Sequence, residues 1–409
     1  MSRLNSKRSE DTICVRYTIG GDGGSSVFTT TQANWELCQR GLVAFPGDVL
    51  AMRLRVRNRT INTDTDHPND ITIPAWYLGR RPLFDAAHWW TGRFKVAPDS
   101  VFPSFVVPGG GEGVSAWVTT PSLMPRKGVI YGYSMPIQAP TSGTVIAQGG
   151  DGGLVWGATS TSMVGVSQPA QAGAARRPLG IEGEIASPFQ YFDVRLEVVM
   201  RRIPILTGIG DSIFRGHVNE TDVYGYHGGT YNYEAAAGMA GLLGGFAVQN
   251  IAVGGSNSSQ YAGVAGTDWR YQRLDWRTSP PDVVVLQHGT NDIGGLSATA
   301  AQLEGTQATI MDTVRGLAPR AKILLTTIIP NNFGQASSQE AARTGYNAWA
   351  RGLPYGAAGC VDWDNALNPA GTPLAGSNVV GDPKYLAAAD PHPFRAAQSV
   401  MARCIPVIA

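Results

Sequence analysis

Near residue 200 the hydrophobic pattern of this chain changes period, and that change limits the possible folds more than any other feature. Before it, β-branched or alternating runs at 13–18, 49–56, 128–133 and 144–147 are separated by Gly, Pro, Asn and Asp. A period near two means that one side of each run meets a core and the other meets solvent, as in antiparallel strands. Gly20-Gly21-Asp22-Gly23-Gly24 and Gly109-Gly110-Gly111 supply turns, and no long helical pattern intervenes. This half therefore predicts an all-β sandwich or jelly-roll-like domain. The Ala/Gln/Gly-rich stretch at 168–177 reads as a surface loop, and the alternation at 192–200 as a last strand.

After residue 200, strand-like and helix-like segments alternate. Apolar runs at 203–209, 246–253, 283–286, 322–329 and 360–362 are separated by helical patterns at 233–243, 271–277, 300–317 and 339–351, with a closing helix at 393–403. Strands separated by helices imply a parallel sheet covered on both faces. A chain of 409 residues exceeds one ordinary domain. The expected boundaries are 1–200 for a β-sandwich-like accessory domain and 201–409 for an α/β domain.

Lys and Arg total 32 against 31 Asp and Glu, so no basic stripe suggests a nucleic-acid partner. The pairs Arg80-Arg81, Arg176-Arg177 and Arg201-Arg202 are scattered and read as solvated or ion-paired. No apolar run reaches the ~18 residues of a membrane helix. The basic start runs into polar Ser9-Glu10-Asp11-Thr12 rather than an apolar signal-peptide core. The expectation is a cytoplasmic protein or one exported by another route. Cys14, Cys38, Cys360 and Cys404 form no Cys-x-x-Cys pair, which argues against a zinc knuckle and leaves free thiols and disulfides both open.

Chemistry-bearing residues gather where strands should end. Gly210-Asp211-Ser212 closes the first apolar run of the second half, Gly254-Gly255 follows the second, and Gln287-His288-Gly289-Thr290-Asn291-Asp292 follows the third. Asp390-Pro391-His392-Pro393 precedes the last helix. In a doubly wound sheet the carboxyl ends of the strands share one edge. A serine hydroxyl is a weak nucleophile unless imidazole takes its proton, and a tetrahedral oxyanion needs fixed donors. Ser212, His392, the Ser212 and Gly255 amides and the Asn291 side chain supply those groups.

Gly210-Asp211-Ser212, Asn250-x-x-x-x-Gly255, Gly289-Thr290-Asn291-Asp292 and Asp390 with His392-Pro393 stand in the order of the SGNH (GDSL-type) hydrolase family, which residues 202–409 resemble. The resemblance implies a flavodoxin-like three-layer α/β/α fold and ester hydrolysis without metal or cofactor. Carried over by position, Ser212 is the nucleophile, His392 the base, and Ser212, Gly255 and Asn291 the oxyanion donors. The family's acid usually stands three residues before the histidine, where this chain has Ala389. Asp390, two before it, is the expected acid. Asp382 and a Ser-His dyad aided by a backbone carbonyl are the alternatives.

Short-chain acyl esters, acetyl on carbohydrate above all, are the expected substrates. This extends the resemblance to relatives that join a β-sandwich to an esterase domain. An arylesterase, lipase or thioesterase is the enzymatic rival. A structural or glycan-binding surface or virion module with a degenerate esterase half is the rival of another class. Trp269, Tyr271 and His288 are candidate pocket residues, with core packing as the competing role for each. Asp211 and Asp292 read as helix caps or loop anchors, and His217 and His227 as surface or loop residues. His88-Trp89-Trp90 would place one tryptophan in a core and the other outside it, since adjacent strand residues face opposite ways.

Overall fold

In a computed structural model, the residues described are 12–22, 26–29, 35–60, 65–80, 100–139, 141–148, 162–164, 185–187, 193–221, 227–229, 236–331, 333, 337–369, 382–386 and 391–406. The chain divides into two compact units, Met1–Arg202 and Ile203–Ala409.

The first unit is built from antiparallel sheets. Its described strands include β1 (Thr12–Asp22), β2 (Trp35–Ala44), β3 (Val49–Arg57), β4 (Glu112–Val114), β5 (Ile130–Ala139) and β6 (Asp193–Arg201). One sheet runs β1-β6-β3-β4; another pairs β5 with β2 and with the strand Trp76–Arg80. Period two shows directly in β3, where Met52, Leu54 and Val56 are buried and Arg53, Arg55 and Arg57 alternate with them. On the polar side of this sheet, Glu197 of β6 accepts hydrogen bonds from Arg16 at 2.7 Å and from Arg53. It also pairs with Arg55 at 2.8 Å. These neighbours hold the Glu197 carboxyl below its usual range, although burial opposes them. The expected loop at 168–177 and His88-Trp89-Trp90 lie outside the described residues.

The second unit holds a five-stranded parallel sheet. In chain order its sheet strands and the described α-helices begin with β7 (Ile205–Gly210), α1 (Ser212–Arg215), α2 (Ala236–Gly244), β8 (Ala247–Asn250), α3 (Ser258–Ala262) and α4 (Trp269–Gln272). There follow β9 (Val283–Gln287), α5 (Thr290–Leu296), α6 (Ala300–Leu317), β10 (Lys322–Thr326), α7 (Ser338–Arg351), β11 (Gly359–Val361), α8 (Trp363–Leu367) and α9 (Arg395–Cys404). The spatial order is β8-β7-β9-β10-β11, all parallel.

Every residue of β7 and β9 is buried, as a sheet covered on both faces requires. Alternate residues feed opposite cores. Val284 and Leu286 pack with Leu303, Ile310 and Val314 of α6 and Tyr346 of α7. Val283 and Val285 pack with Ala236 and Ala240 of α2, Met401 of α9 and Trp363 of α8. This is the three-layer α/β/α arrangement. Helix α6 starts where Thr299 and Gln302 form a reciprocal capping box. No helix among the described residues is long and apolar enough to cross a membrane.

Candidate active site

The strand order reverses between β7 and β9, so their carboxyl ends border the crevice where open α/β sheets bind ligands. Ser212 stands at the mouth of β7 as the first residue of α1. The turn needs small residues. A Cβ on Gly210 would lie 2.5 Å from the Gln287 carbonyl, and one on Gly208 would lie 1.9 Å from the Phe214 ring. Asp211 caps α1, its Oδ1 accepting from the Ile213 amide at 2.9 Å. As first helical residue, Ser212 has an amide with no intrahelical acceptor.

The central contact spans 180 residues of sequence: Ser212 Oγ and His392 Nε2 lie 2.8 Å apart. His392 is half-buried just before α9, and its loop is held where the Phe394 amide donates to the Tyr385 carbonyl at 2.7 Å. The oxyanion candidates come from the two flanking connections. Gly255, after β8, is exposed with φ +73°, and no atom lies within 4 Å of the place a Cβ would take. A left-handed conformation of that kind favours glycine. Asn291, in the first turn of α5, donates from Nδ2 to the Ser256 carbonyl at 2.8 Å. Its carboxamide is thereby tied to the loop that carries Gly255.

Among the described residues, Asp211 and Asp292 are buried carboxyls around this centre. Burial pushes the Asp211 carboxyl up to about 7, against the opposing pull of the Ile213 amide and nearby His392. Asp292 accepts from the Ser258 amide at 2.9 Å and from the Ser258 hydroxyl at 2.5 Å, binding α5 to α3. Burial raises its pKa as well, with these bonds acting in the other direction.

Three expected pocket residues turn inward instead. Tyr271 is fully buried, donates its hydroxyl to the Tyr261 carbonyl at 3.2 Å, and packs in the core beneath α6. Trp269 is 9% exposed, and Arg270 lies over its ring at 4.8 Å. His288 is wholly enclosed, stands 4.9 Å from the Tyr261 ring, and is driven down to about 3 by burial. None of the three offers an open face to a ligand. Tyr271 serves packing, in the core that α6 and α7 close over Val284 and Leu286 of β9.

Asp382 is half-buried and accepts from the Lys384 amide at 2.9 Å, which makes it the cap of a turn. Asp390 lies outside the described residues. His217 and His227, expected as surface or loop residues, fall in two short paired strands, His217–Thr221 and His227–Gly229. Cys14, Cys360 and Cys404 are free thiols; the Cys38 side chain is outside the described set. Ser256 and Ser258 carry no motif of their own in the sequence; Ser256 directly follows Gly255, and Ser258 opens α3.

Residues 209–393 match the GDSL-like Lipase/Acylhydrolase family. This segment is a GDSL-like lipase/acylhydrolase domain. Among solved structures, the chain is similar to a family two carbohydrate esterase from Clostridium thermocellum in complex with cellohexaose. Identity there is 16% over 96% of this chain and 97% of that one, with a TM-score of 0.36. It is also similar to a family two carbohydrate esterase from Cellvibrio japonicus, at 12% identity over 96% of each chain and a TM-score of 0.36. A Corynascus thermopiles (Myceliophthora fergusii) carbohydrate esterase family 2 enzyme plus carbohydrate binding domain matches at 14% identity. It covers 93% of this chain and 97% of that one, with a TM-score of 0.37. No curated protein sequence matches the chain.

Proposed function

We propose that the hydrolase domain cleaves carboxylic esters through an acyl-enzyme on Ser212. The observation that carries the reading is the 2.8 Å approach of Ser212 Oγ to His392 Nε2 at the switch point of the sheet. Serine oxygen attacks the ester carbonyl while its proton passes to His392. The tetrahedral oxyanion is met by the Ser212 and Gly255 amides and the Asn291 carboxamide. The alkoxide leaves with the proton from His392. Water, deprotonated by the same imidazole, then releases the acid and restores Ser212. Asp390 is assigned to hold the imidazole's other nitrogen and stabilise its charged form.

Short acyl esters, with acetyl on carbohydrate the preferred case, are the proposed substrates. The support is chemical: Ser259 and Gln260 are exposed and polar beside Gly255, and Gly294 and Gly295 are exposed beyond Asn291. A long acyl chain calls for a broad apolar surface, and these residues do not provide one. The first unit is read as a β-sandwich accessory domain, supported by its antiparallel sheets with one polar side.

Hydrolysis of short-chain chromogenic esters by wild type and Ser212→Ala tests the reading. Turnover by wild type and its loss in the variant are expected; equal rates, or an inert wild type, would overturn it. A panel of acetylated polysaccharides against longer acyl esters then tests the substrate class.

A further inference from the structure

Ser256 lies between three segments that carry the proposed site. It is 4% exposed, and its hydroxyl donates to the carbonyl of Gly210, two residues before Ser212, at 3.1 Å. Its own carbonyl accepts from Asn291 Nδ2 at 2.8 Å. Its amide closes a turn onto the Val253 carbonyl at 3.2 Å, and the Val253 amide donates to the same Gly210 carbonyl at 2.9 Å. Ser256 thus ties the end of β7, the loop carrying Gly255 and the first turn of α5 to one another.

Its hydroxyl oxygen also meets His288 Nε2 at 3.4 Å. Because that hydroxyl donates to Gly210, its lone pairs face the imidazole, which fixes Nε2 as the protonated nitrogen. Nδ1 is then the bare nitrogen, and it has no hydrogen-bond partner. The enclosed His288 therefore acts as a neutral donor to Ser256.

We propose that Ser256 is the positioning residue of the oxyanion hole, holding Asn291 and Gly255 in register with Ser212, with His288 buttressing its hydroxyl. The proposal rests on the esterase reading above. Ser256 touches no reacting atom. Removing its hydroxyl leaves the loop tied to Gly210 through the Val253 amide alone and lets the donors drift, and small misplacements of catalytic groups carry large rate losses.

The test is a cycle of Ser256→Ala, Asn291→Ala and the double variant, with kcat and KM measured on a short-chain ester and affinity measured for a boronic acid mimic of the tetrahedral state. Ser256→Ala should lower kcat by roughly 10- to 100-fold with KM within about two-fold, and weaken the boronic acid in proportion. On the Asn291→Ala background the same change should cost less than it does in wild type, since the part of its effect that passes through Asn291 is already gone. Ser256→Thr, which keeps the hydroxyl, should retain most of kcat and carries the comparison if the alanine variant does not fold. Unchanged kcat in Ser256→Ala, a Ser256→Thr variant as slow as the alanine, or full additivity with Asn291→Ala would each overturn the proposal. An inert wild type, or an active Ser212→Ala, would instead overturn the esterase reading, so the two failures are distinct.

Discussion

Asp211 is a carboxyl enclosed beside the proposed nucleophile, and its charge has a direction that can be measured. Burial raises it from 3.8 to about 7 in the folded chain. The folded state therefore holds a proton that the unfolded state releases near its ordinary value. Its contribution to stability is fully present below that value and is lost as pH rises through about 7. Asp211→Asn keeps a cap of equal quality and removes the titration. Relative to wild type, the variant should gain stability between pH 5 and pH 8, read from denaturant midpoints at both; a constant difference would refute the assignment. The acid of the proposed triad is decided at the same scale. Asp390→Asn should lower kcat by roughly 10³- to 10⁴-fold, while Asp382→Asn should stay within about two-fold of wild type because Asp382 caps a turn. The reverse ranking in steady-state assays would move the role to Asp382.

Among the elements, the short α5 carries Asn291, and its entry depends on Gly289 with φ +133°. A Cβ there would meet Ile328 at 2.3 Å. Gly289→Ala should destabilise by roughly 1–3 kcal/mol from backbone strain alone, and should lower kcat more than it raises KM because it displaces Asn291. Thermal unfolding with steady-state kinetics checks both parts. Sequence legibility varied among the elements for related reasons. The pattern at 300–317 predicted α6 at its observed bounds, because Leu303, Ile310 and Val314 repeat at helical spacing behind a capping box. Helix α5 was not legible: Gly294 and Gly295 weaken a helical reading of its seven residues. The apolar run at 246–253 predicted a longer strand than β8, which ends at Asn250. Ile251, Ala252 and Val253 are buried in the connection that leads to Gly255, and a buried connection reads like a buried strand.

Across the whole molecule, the two units bring opposite pH dependences. Glu197 in the first unit is held below its ordinary value of 4.5 by Arg16, Arg55 and Arg53, against burial. Its stabilisation is present above that value and is lost as pH falls through the lower folded one, the reverse of Asp211. Glu197→Gln should cost about 2 kcal/mol at pH 7 and progressively less in acid, measured by denaturant unfolding across that range. A cost that does not shrink in acid would show that the carboxylate charge is not what the arginines require.

By itself the sequence determined the alternation of strands and helices after residue 200 and hence a parallel sheet with two covered faces. It also determined which residue types end each strand, because side-chain period reports local burial and glycine reports close backbone approach. Tertiary structure alone decided what meets what. The approach of Ser212 to His392 across 180 residues depends on the strand order β8-β7-β9-β10-β11, which no local pattern encodes. The inward turn of Tyr271, Trp269 and His288 was decided there too. An aromatic residue beside a polar loop has the same local signature whether it lines a pocket or fills a core, and only the helices packed over β9 settle which.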